Sequence, residues 1–260
     1  ASGSTALLAS LLALGIGPGD EVIVPAYTFV ASYSAILFCG GVPVLAEIDE
    51  SLNLDPADVE RRITPRTRAI MPVHMLGNPC NMDPLLELAR RRGLAVIEDA
   101  CQATGGSYHG RRLGTLGTIG AFSLNIFKTI TAGDGGAVVT DDTALNFRMN
   151  EQTGAVALAQ LRKLDRLLET LREKKAKLKE RIGHVPGTRF RALPDPAGEC
   201  ATLCTVLFDD PARAARVAER LGTTTVDRSG WHVYANMEHV GRWLAEHGRP
   251  HGRGAYPRPA

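Results

Sequence analysis

The sequence predicts an α/β fold with a mostly parallel central sheet that helices cover on both faces. In the first half of the chain, helical and extended patterns alternate in the manner of βαβ units. The strand patterns are continuous apolar runs, such as residues 22–24 and 94–97, which strands buried on both faces require. The 260 residues can bury one large domain and part of a second.

Turn-forming residues and apolar periodicity define the elements of the first half. A helix at 6–14 opens at the hydroxyl-rich segment 2–5 and is broken by the glycines and the proline of segment 15–19. After it, strand and helix patterns alternate along the chain. The sequence predicts a strand at 21–25, a helix at 30–38, a strand at 43–47, a helix at 56–63, a strand at 68–73, a helix at 84–92, and strands at 94–98, 122–125 and 136–140.

A long amphipathic helix opens the second half. Apolar residues recur at alternating steps of three and four, with Lys175 as the one polar exception: Leu161, Leu164, Leu168, Leu171, Leu178 and Ile182. Beyond this helix we predict a strand at 201–207, helices at 211–221 and 238–247, and an irregular tail at 248–260. The chain is therefore divided into a large α/β domain, 1–160, and a linking helix with a smaller, incomplete C-terminal α+β domain, 161–260.

Composition and charge argue against several classes of partner. The formal net charge of +2 gives no electrostatic case for nucleic acid. The five cysteines lack the spacing of a metal site and are interpreted as reduced thiols. No stretch has transmembrane length, and no basic residue precedes the apolar run at 6–14, so neither a membrane partner nor a secretory leader is predicted. These features predict a cytoplasmic enzyme.

Lys128 is the most unusual basic residue of the sequence. It is the only lysine before Lys163, and it follows the apolar pair Ile126 and Phe127. Partial desolvation there would favour the neutral amine, which is nucleophilic enough to form a Schiff base. The alternative is a lysine at a strand end whose ammonium group reaches solvent, and the local sequence allows both.

Asp99 follows the predicted strand 94–98, at the edge where open α/β sheets bind ligands. A buried carboxylate there needs a partner, and a protonated pyridine nitrogen would be a suitable one. The alternative is that Asp99 caps the next segment. Strand alternation predicts that Glu98 points to the opposite side.

The segment from Gly3 to Thr5 could bind a phosphate group. It precedes a helix and has no basic residue nearby, so backbone N–H groups, hydroxyls and the helix dipole would have to supply the binding. Serine and threonine are also ordinary N-cap residues. For this segment by itself, helix capping is a stronger interpretation than phosphate binding. Residues 133–136 are, by themselves, a tight glycine turn.

Seven segments carry sequence motifs that follow one another along the chain: 15–25, 28–29, 72–74, 97–103, 120–123, 133–136 and 146–151. Together they resemble the DegT/DnrJ/EryC1/StrS family, the sugar aminotransferases among the pyridoxal-phosphate (PLP) enzymes of fold type I. The similarity is dense from residue 1 to about residue 182 and thin afterwards. It implies the aspartate aminotransferase fold, the cofactor pyridoxal 5'-phosphate, and transfer of an amino group from glutamate or glutamine to a keto sugar, a keto-sugar acid or a keto aminocyclitol.

The resemblance implies roles for residues around the cofactor ring. Lys128 matches the lysine that carries the cofactor as a Schiff base and acts as general base. Asp99 matches the partner of the pyridine nitrogen. Gln102 would lie against the ring or its phenolic oxygen, and Phe29 would stack on the ring.

The resemblance also implies a phosphate site and a second subunit. Ser123, five residues before the lysine, matches the phosphate-binding serine of the family, and Ser4 with Thr5 matches its phosphate turn. Asn146 matches an asparagine that the neighbouring subunit donates. A homodimer with a shared active site is therefore expected.

Two departures from the family pattern stand out. Relatives are longer, and this chain begins almost at the phosphate turn, so an N-terminal segment is expected to be missing. A second shortfall lies between Asp142 and Asn146, where relatives carry a substantial connection. If the chain is continuous there, consecutive Cα atoms should lie about 3.8 Å apart.

Two alternatives compete with amino transfer. A sugar dehydratase of the same fold would use PLP or its amine form, but such relatives replace the lysine with histidine, so Lys128 favours transfer. A catalytically idle regulator that retains the fold would be expected to lose its cofactor residues. Asp99, Gln102, Ser123 and Lys128 are all present, which favours an enzyme.

Several other residues have two interpretations each. His74 ends a predicted strand and could approach the site, but a histidine satisfied by local hydrogen bonds is at least as compatible with its position. Trp231, His232, Tyr234 and Asn236 could belong to a substrate pocket. Core packing is the favoured interpretation of Trp231 and Tyr234.

Overall fold

A computed structural model describes residues 2–141, 150–233, 236–237 and 242. The helices are α1 (Gly3–Ala13), α2 (Ala31–Phe38), α3 (Pro56–Arg62), α4 (Met82–Arg92), α5 (Glu151–Leu161), α6 (Leu164–Ile182) and α7 (Pro211–Arg220). The strands are β1 (Glu21–Pro25), β2 (Val42–Ala46), β3 (Thr67–Ile70), β4 (Ala95–Asp99), β5 (Ser107–Tyr108), β6 (Arg111–Arg112), β7 (Ile119–Ser123), β8 (Gly136–Thr140), β9 (Thr188–Phe190) and β10 (Val206–Phe208).

The central sheet has six strands in the order β2-β1-β3-β4-β7-β8. Neighbouring strands from β2 to β7 run parallel, and β8 pairs antiparallel with β7. The prediction of a mostly parallel sheet is therefore confirmed. Because parallel strands end at the same edge, the residues that follow β4 and β7 lie close together, where such sheets bind ligands.

Two hydrophobic clusters show that helices cover both faces of the sheet. Ile23 and Val96 pack into one cluster with residues of α4 and α6. Val22 and Ile97, which immediately adjoin them in sequence, pack into the other with residues of α1 and α2. Alternate side chains of a strand point to opposite faces, so strands with helices on both sides must be apolar throughout. Burial of each large aliphatic side chain stabilises the fold by about 1.5–3 kcal/mol.

Helix α1 begins earlier than its apolar pattern predicts. The Ser2 side chain accepts a hydrogen bond from the Thr5 N–H at 3.2 Å, so Ser2 is the N-cap and the helix begins at Gly3. The hydroxyl residues predicted to precede the helix therefore form its first turn. The chain leaves the helix through Gly15 at φ 71°, a left-handed conformation that glycine adopts without strain.

The second half differs more from its predicted elements. The predicted long helix is α6, which begins at Leu164 and ends at Ile182, and the preceding helix α5, which ends at Leu161, was not predicted. The strand predicted at 201–207 is confined to β10, which pairs antiparallel with β9 in a separate two-stranded sheet. The helix predicted at 238–247 and the connection between Asp142 and Asn146 lie outside the described residues, and the division into two domains stays a prediction. Within the described ranges, no helix combines the length and the apolar character needed to span a membrane.

Candidate active site at the carboxyl edge of the sheet

Asp99 ends β4 and is 4% exposed. Its Oδ2 accepts a hydrogen bond from Ser32 Oγ at 2.8 Å, and its Oδ1 accepts one from the Cys101 N–H at 3.1 Å. The hydrogen bond from Cys101 is a local capping contact, which was the alternative interpretation of Asp99. An ionised carboxylate has about four acceptor positions, so Asp99 keeps acceptor capacity for a further donor.

A chain of buried hydroxyls supports Asp99 from α2. Ser32 Oγ lies 2.9 Å from Thr28 Oγ1, and both residues are fully buried. Because the single hydroxyl proton of Ser32 is used on Asp99, Thr28 must donate to Ser32. The sequence analysis missed this contact, although two hydroxyl residues four positions apart at the start of a helix were the available signal.

The first turn of α1 lies directly against Ser123. A Cβ atom added at Gly3 would lie 2.6 Å from Ser123 Cβ and 3.0 Å from Ser123 Oγ, so only glycine permits this approach. The Thr5 N–H is taken by Ser2, whereas the N–H groups of Gly3 and Ser4 have no acceptor within the helix. The structure therefore brings Ser123 to the same helix N-terminus as Ser4 and Thr5, where the dipole favours an anion.

Lys128 lies in the loop between β7 and β8 and is half-buried. Its Nζ is 6.0 Å from the centroid of the Phe29 ring, within the range of a cation–π interaction. Ile126 and Phe127 are 60% and 88% exposed. The sequence predicted that Ile126 and Phe127 provide apolar surroundings for the Lys128 amine. This prediction is wrong in detail, because both side chains point to solvent and the Phe29 ring lies near the amine instead.

Cys101 connects Asp99, Lys128 and the first turn of α1. Its Sγ would lie 3.0 Å from a Cβ atom at Gly3, and its N–H binds Asp99. Burial raises the pKa of the Cys101 thiol well above its ordinary value; the negative charge of Asp99 adds to that rise, and the positive charge of Lys128 opposes it. Cys101 therefore links Asp99 to the helix N-terminus through its backbone N–H and its thiol.

The amide of Gln102 has a defined orientation. Its Oε1 accepts a hydrogen bond from the Leu76 N–H at 3.0 Å, and the side chain is half-buried. A backbone N–H can bind only the oxygen of the amide, so the Nε2 group of Gln102 points away from Leu76 and is available as a donor.

Residues 231–233 lie alongside the segment that carries Phe29. The Thr28 N–H donates to the His232 carbonyl at 2.8 Å, and the Phe29 and Trp231 rings are 6.4 Å apart at 25°. Trp231 is 62% exposed, so the predicted core packing is wrong for this residue, and Tyr234 lies outside the described residues. Burial, and then the charge of Lys128, lower the pKa of His232, which keeps the imidazole neutral at neutral pH.

Glu98 and His74 form a separate network on the other side of β4. Glu98 is fully buried and accepts hydrogen bonds from His74 Nε2 at 3.0 Å and from the N–H groups of Gly114, Leu116 and Gly117. His74 Nδ1 accepts from the Cys80 N–H at 3.1 Å, so the proton is on Nε2. The predicted orientation of Glu98 is confirmed, and His74 is a locally satisfied histidine.

We expect Glu98→Gln to destabilise the fold by about 3 kcal/mol at neutral pH, because an amide group would then face four donors. Burial alone would raise the pKa of Glu98, but the hydrogen bonds from His74, Gly117 and Gly114 outweigh burial and lower it. A lowered folded-state pKa gives stability above the unfolded-state pKa that is lost on acidification. The difference in free energy of unfolding between wild type and variant should therefore shrink below about pH 4.3.

Denaturant unfolding at several pH values measures this difference. Glu169→Gln on the exposed face of α6 is the matched control and should leave the free energy of unfolding nearly unchanged. A destabilisation of Glu98→Gln that stays constant as the pH falls would contradict the assigned role.

The DegT/DnrJ/EryC1/StrS aminotransferase family model matches residues 1–146. The chain belongs to this family. EryC1 of Saccharopolyspora erythraea, an erythromycin biosynthesis sensory transduction protein by name, is 39% identical over 257 residues, which are 95% of this chain and 67% of EryC1. GDP-perosamine synthase of Caulobacter vibrioides is 45% identical over 190 residues, which are 63% of this chain and 51% of the synthase. The chain thus spans between half and two thirds of the length of these relatives.

A solved structure of the same family supports the fold. Streptomyces venezuelae DesV, in complex with a ketimine intermediate, matches with a TM-score of 0.76 and 37% sequence identity, over 86% of this chain and 67% of DesV. The family is described as one of aminotransferases, and the predicted fold type I architecture is confirmed. Asn146 lies outside the described residues, so its predicted role stays a prediction.

Proposed function

We propose that this chain is a PLP-dependent aminotransferase that moves an amino group from glutamate or glutamine to a keto sugar, a keto-sugar acid or a keto aminocyclitol. The observation that carries the proposal is the arrangement around Cys101. The Cys101 N–H binds Asp99, the Cys101 thiol lies beside Ser123 and the first turn of α1, and the Lys128 amine lies near the Phe29 ring. An acid, an amine and an anion site at one sheet edge are what a phosphorylated pyridine aldehyde needs.

The donors and acceptors at this edge fit the cofactor. The N–H groups of Gly3 and Ser4 and the hydroxyl of Ser123 can bind phosphate oxygens, with the side chains of Ser4 and Thr5 at the same turn. No basic side chain is needed there, since the helix dipole favours the anion. At the other end, the carboxylate of Asp99 is buried, hydrogen-bonded and able to accept one more donor.

Each residue around the ring has one task in this proposal. When bound, PLP supplies an aldehyde that condenses with amines and an electron-poor ring that stabilises negative charge on the neighbouring carbon. Lys128 holds the cofactor covalently and then moves a proton as a general base. Asp99 would keep the ring nitrogen protonated, Gln102 would lie against the ring or donate from Nε2 to its phenolic oxygen, and Phe29 would stack on the ring.

The proposal extends to assembly and location. Asn146 would come from a second copy of the chain, so the active site would be shared within a homodimer. The large domain, residues 1–160, would hold the cofactor, and residues 161–260 would form the linking helix and the smaller C-terminal domain. The enzyme would act in the cytoplasm on small-molecule acceptors and amino-acid donors.

One alternative has a specific observation in its favour. EryC1, which aligns with almost the whole chain, carries sensory transduction in its name, which is compatible with an idle regulator. A regulator has no need for a complete set of cofactor residues, yet Lys128, Asp99, Gln102 and Ser123 are all retained. Their retention favours an enzyme, and Lys128 favours amino transfer over dehydration.

Cofactor spectra and a half-reaction test the proposed function. The purified chain is loaded with PLP and mixed with glutamate or glutamine. We expect visible absorbance after loading, its loss on addition of the donor, and formation of the corresponding 2-oxo acid. A panel of keto sugars should then restore the absorbance and yield an amino sugar.

The other outcomes separate the alternatives. A deoxy product without nitrogen would identify a dehydratase. A chain that binds PLP but turns over no donor would be a regulator, and one that takes up no PLP would overturn the proposal.

A further inference from the structure

Three buried charged residues of the second half form a cluster with an unbalanced charge. Lys175 and Arg191 both bind Oε1 of Glu199, and Arg191 Nη2 lies 3.4 Å from that oxygen. All three residues are less than 9% exposed. Burial lowers the pKa of Lys175, and the hydrogen bond and charge of Glu199 oppose that shift. Burial of charged groups costs desolvation energy, so buried ion pairs add little net stability. The other contacts of Arg191 show what this cluster holds in place.

Arg191 binds the backbone of a short turn on the other side of the cluster. Its Nη1 donates to the Met75 carbonyl at 2.9 Å, and its Nη2 donates to the Leu76 carbonyl at 3.1 Å. Two further donors come from the same part of the chain. Thr202 Oγ1 binds the Leu76 carbonyl at 3.2 Å, and the Cys200 N–H binds the Gly77 carbonyl at 2.8 Å. All three carbonyls of the Met75–Gly77 turn are therefore held by the segment 191–202.

The Met75–Gly77 turn has a backbone conformation that needs such support. Leu76 has φ 56° and ψ 34°, a left-handed conformation that a residue with a branched side chain rarely adopts. A conformation of this kind costs about 1–3 kcal/mol and persists only where the surroundings hold it. The donors from Arg191 and Thr202 supply that support.

The conformation of Leu76 decides which way Gln102 faces. The Met75 carbonyl and the Leu76 N–H belong to one trans peptide group and point in opposite directions. With that carbonyl held by Arg191, the Leu76 N–H points to the other side and donates to Gln102 Oε1 at 3.0 Å. A glutamine amide can rotate by half a turn with little change of shape, which would exchange its oxygen and nitrogen. The Leu76 N–H excludes the rotated form, because two donors would then face each other.

We propose that Arg191, held by Glu199, is a positioning residue that orients the Gln102 amide through the Met75–Gly77 turn. This inference rests on the proposed function for the cofactor that Gln102 faces. It explains why the charged residues are buried there, because the Gln102 Nε2 group must keep one orientation to donate to the phenolic oxygen. Arg191 itself touches neither substrate nor cofactor.

A double-mutant cycle between Arg191 and Gln102 tests the proposal. Lysine in place of arginine keeps the charge but lacks the planar fork whose two nitrogens bind the Met75 and Leu76 carbonyls. The rate of cofactor release from the PLP-loaded chain is measured for wild type, Arg191→Lys, Gln102→Ala and the double variant. We expect Arg191→Lys to accelerate release about tenfold in the presence of Gln102, and less than about twofold in the Gln102→Ala background.

Equal acceleration of cofactor release by Arg191→Lys in both backgrounds would overturn the proposal. A purely structural effect of Arg191 would be independent of Gln102, so the effects of the two substitutions would add. Arg189→Lys is the matched control, because Arg189 is an exposed arginine of β9 two positions away and should leave release unchanged. If Arg191→Lys does not fold, Thr202→Ala removes one donor to the Leu76 carbonyl and should show the same dependence on Gln102 with a smaller effect.

Amide hydrogen exchange provides a readout that does not depend on the cofactor. In the chain without PLP, the Leu76 N–H should exchange several-fold faster in Arg191→Lys than in wild type, and exchange at Ile97 in the central strand should not change. Unchanged exchange at Leu76 would overturn the positioning role. Failure of the wild-type chain to bind PLP would instead overturn the proposed function, and the exchange result would still stand.

Discussion

Lys128→Ala is expected to abolish both the visible absorbance of the PLP-loaded chain and its turnover. The variant has no amine to hold the cofactor covalently and no base beside the reacting carbon. Loss of the proton transfer alone costs about 10²–10⁴-fold in rate. The absorbance spectrum after loading and removal of free PLP, together with a single-turnover assay with glutamate, measures both effects.

Two controls make this result specific to Lys128. Lys177→Ala removes an exposed lysine of α6 and should retain spectrum and turnover. Lys128→Arg keeps the charge 6.0 Å from the Phe29 centroid but cannot form the covalent bond, so it should behave like the alanine variant. Visible absorbance and turnover that survive in Lys128→Ala would overturn the assignment of the lysine.

Asp99→Asn is expected to separate attachment of the cofactor from its chemistry. The amide has nearly the same shape as the carboxylate but no negative charge, so it cannot stabilise a protonated ring nitrogen. We expect visible absorbance to remain, because Lys128 is intact, while the donor half-reaction slows by about 10²–10³-fold, the typical cost of losing one electrostatic contact in an active site. Rapid mixing with glutamate measures the half-reaction.

Ser32→Ala provides the graded comparison for Asp99. It removes the hydroxyl that donates to Asp99 Oδ2 at 2.8 Å but leaves the carboxylate and the Cys101 contact in place. The half-reaction should slow less than in Asp99→Asn. If Asp99→Asn keeps the wild-type rate, the carboxylate does not face the cofactor ring and its assigned role is wrong.

The predicted positions of the early elements agree closely with the structure, and the later ones agree less well. Strand β1 has the predicted bounds, whereas β7 occupies 119–123 in place of 122–125. An apolar strand between turn residues carries its own signal, but Gly120 belongs to β7 because it fits against the Gly114 backbone, which no local pattern reveals. Helix α5 was not predicted, and none of its residues is buried, so it lacks the buried apolar face that marks α6.

The candidate site shows the same division between local and distant information. Asp99 could be selected from the sequence because it follows a predicted strand, Lys128 because it is the only lysine before Lys163, and Ser123 through the family resemblance. The hydrogen bond from Ser32 to Asp99 joins residues 67 positions apart and could not. The exposure of Phe127 and Trp231 was also misjudged, because apolar character predicts burial only on average.

The sequence by itself determined the order of the main strands and helices of the first half, the mostly parallel sheet and the edge of the sheet at which Asp99 lies. These follow from periodicity and turn chemistry within a few residues, and from the rule that parallel strands end together. Only the tertiary structure decided that Arg191 holds a turn 116 positions away and that this turn orients Gln102. Hydrogen bonds of that kind depend on where the folded chain passes, and no sequence spacing encodes that position.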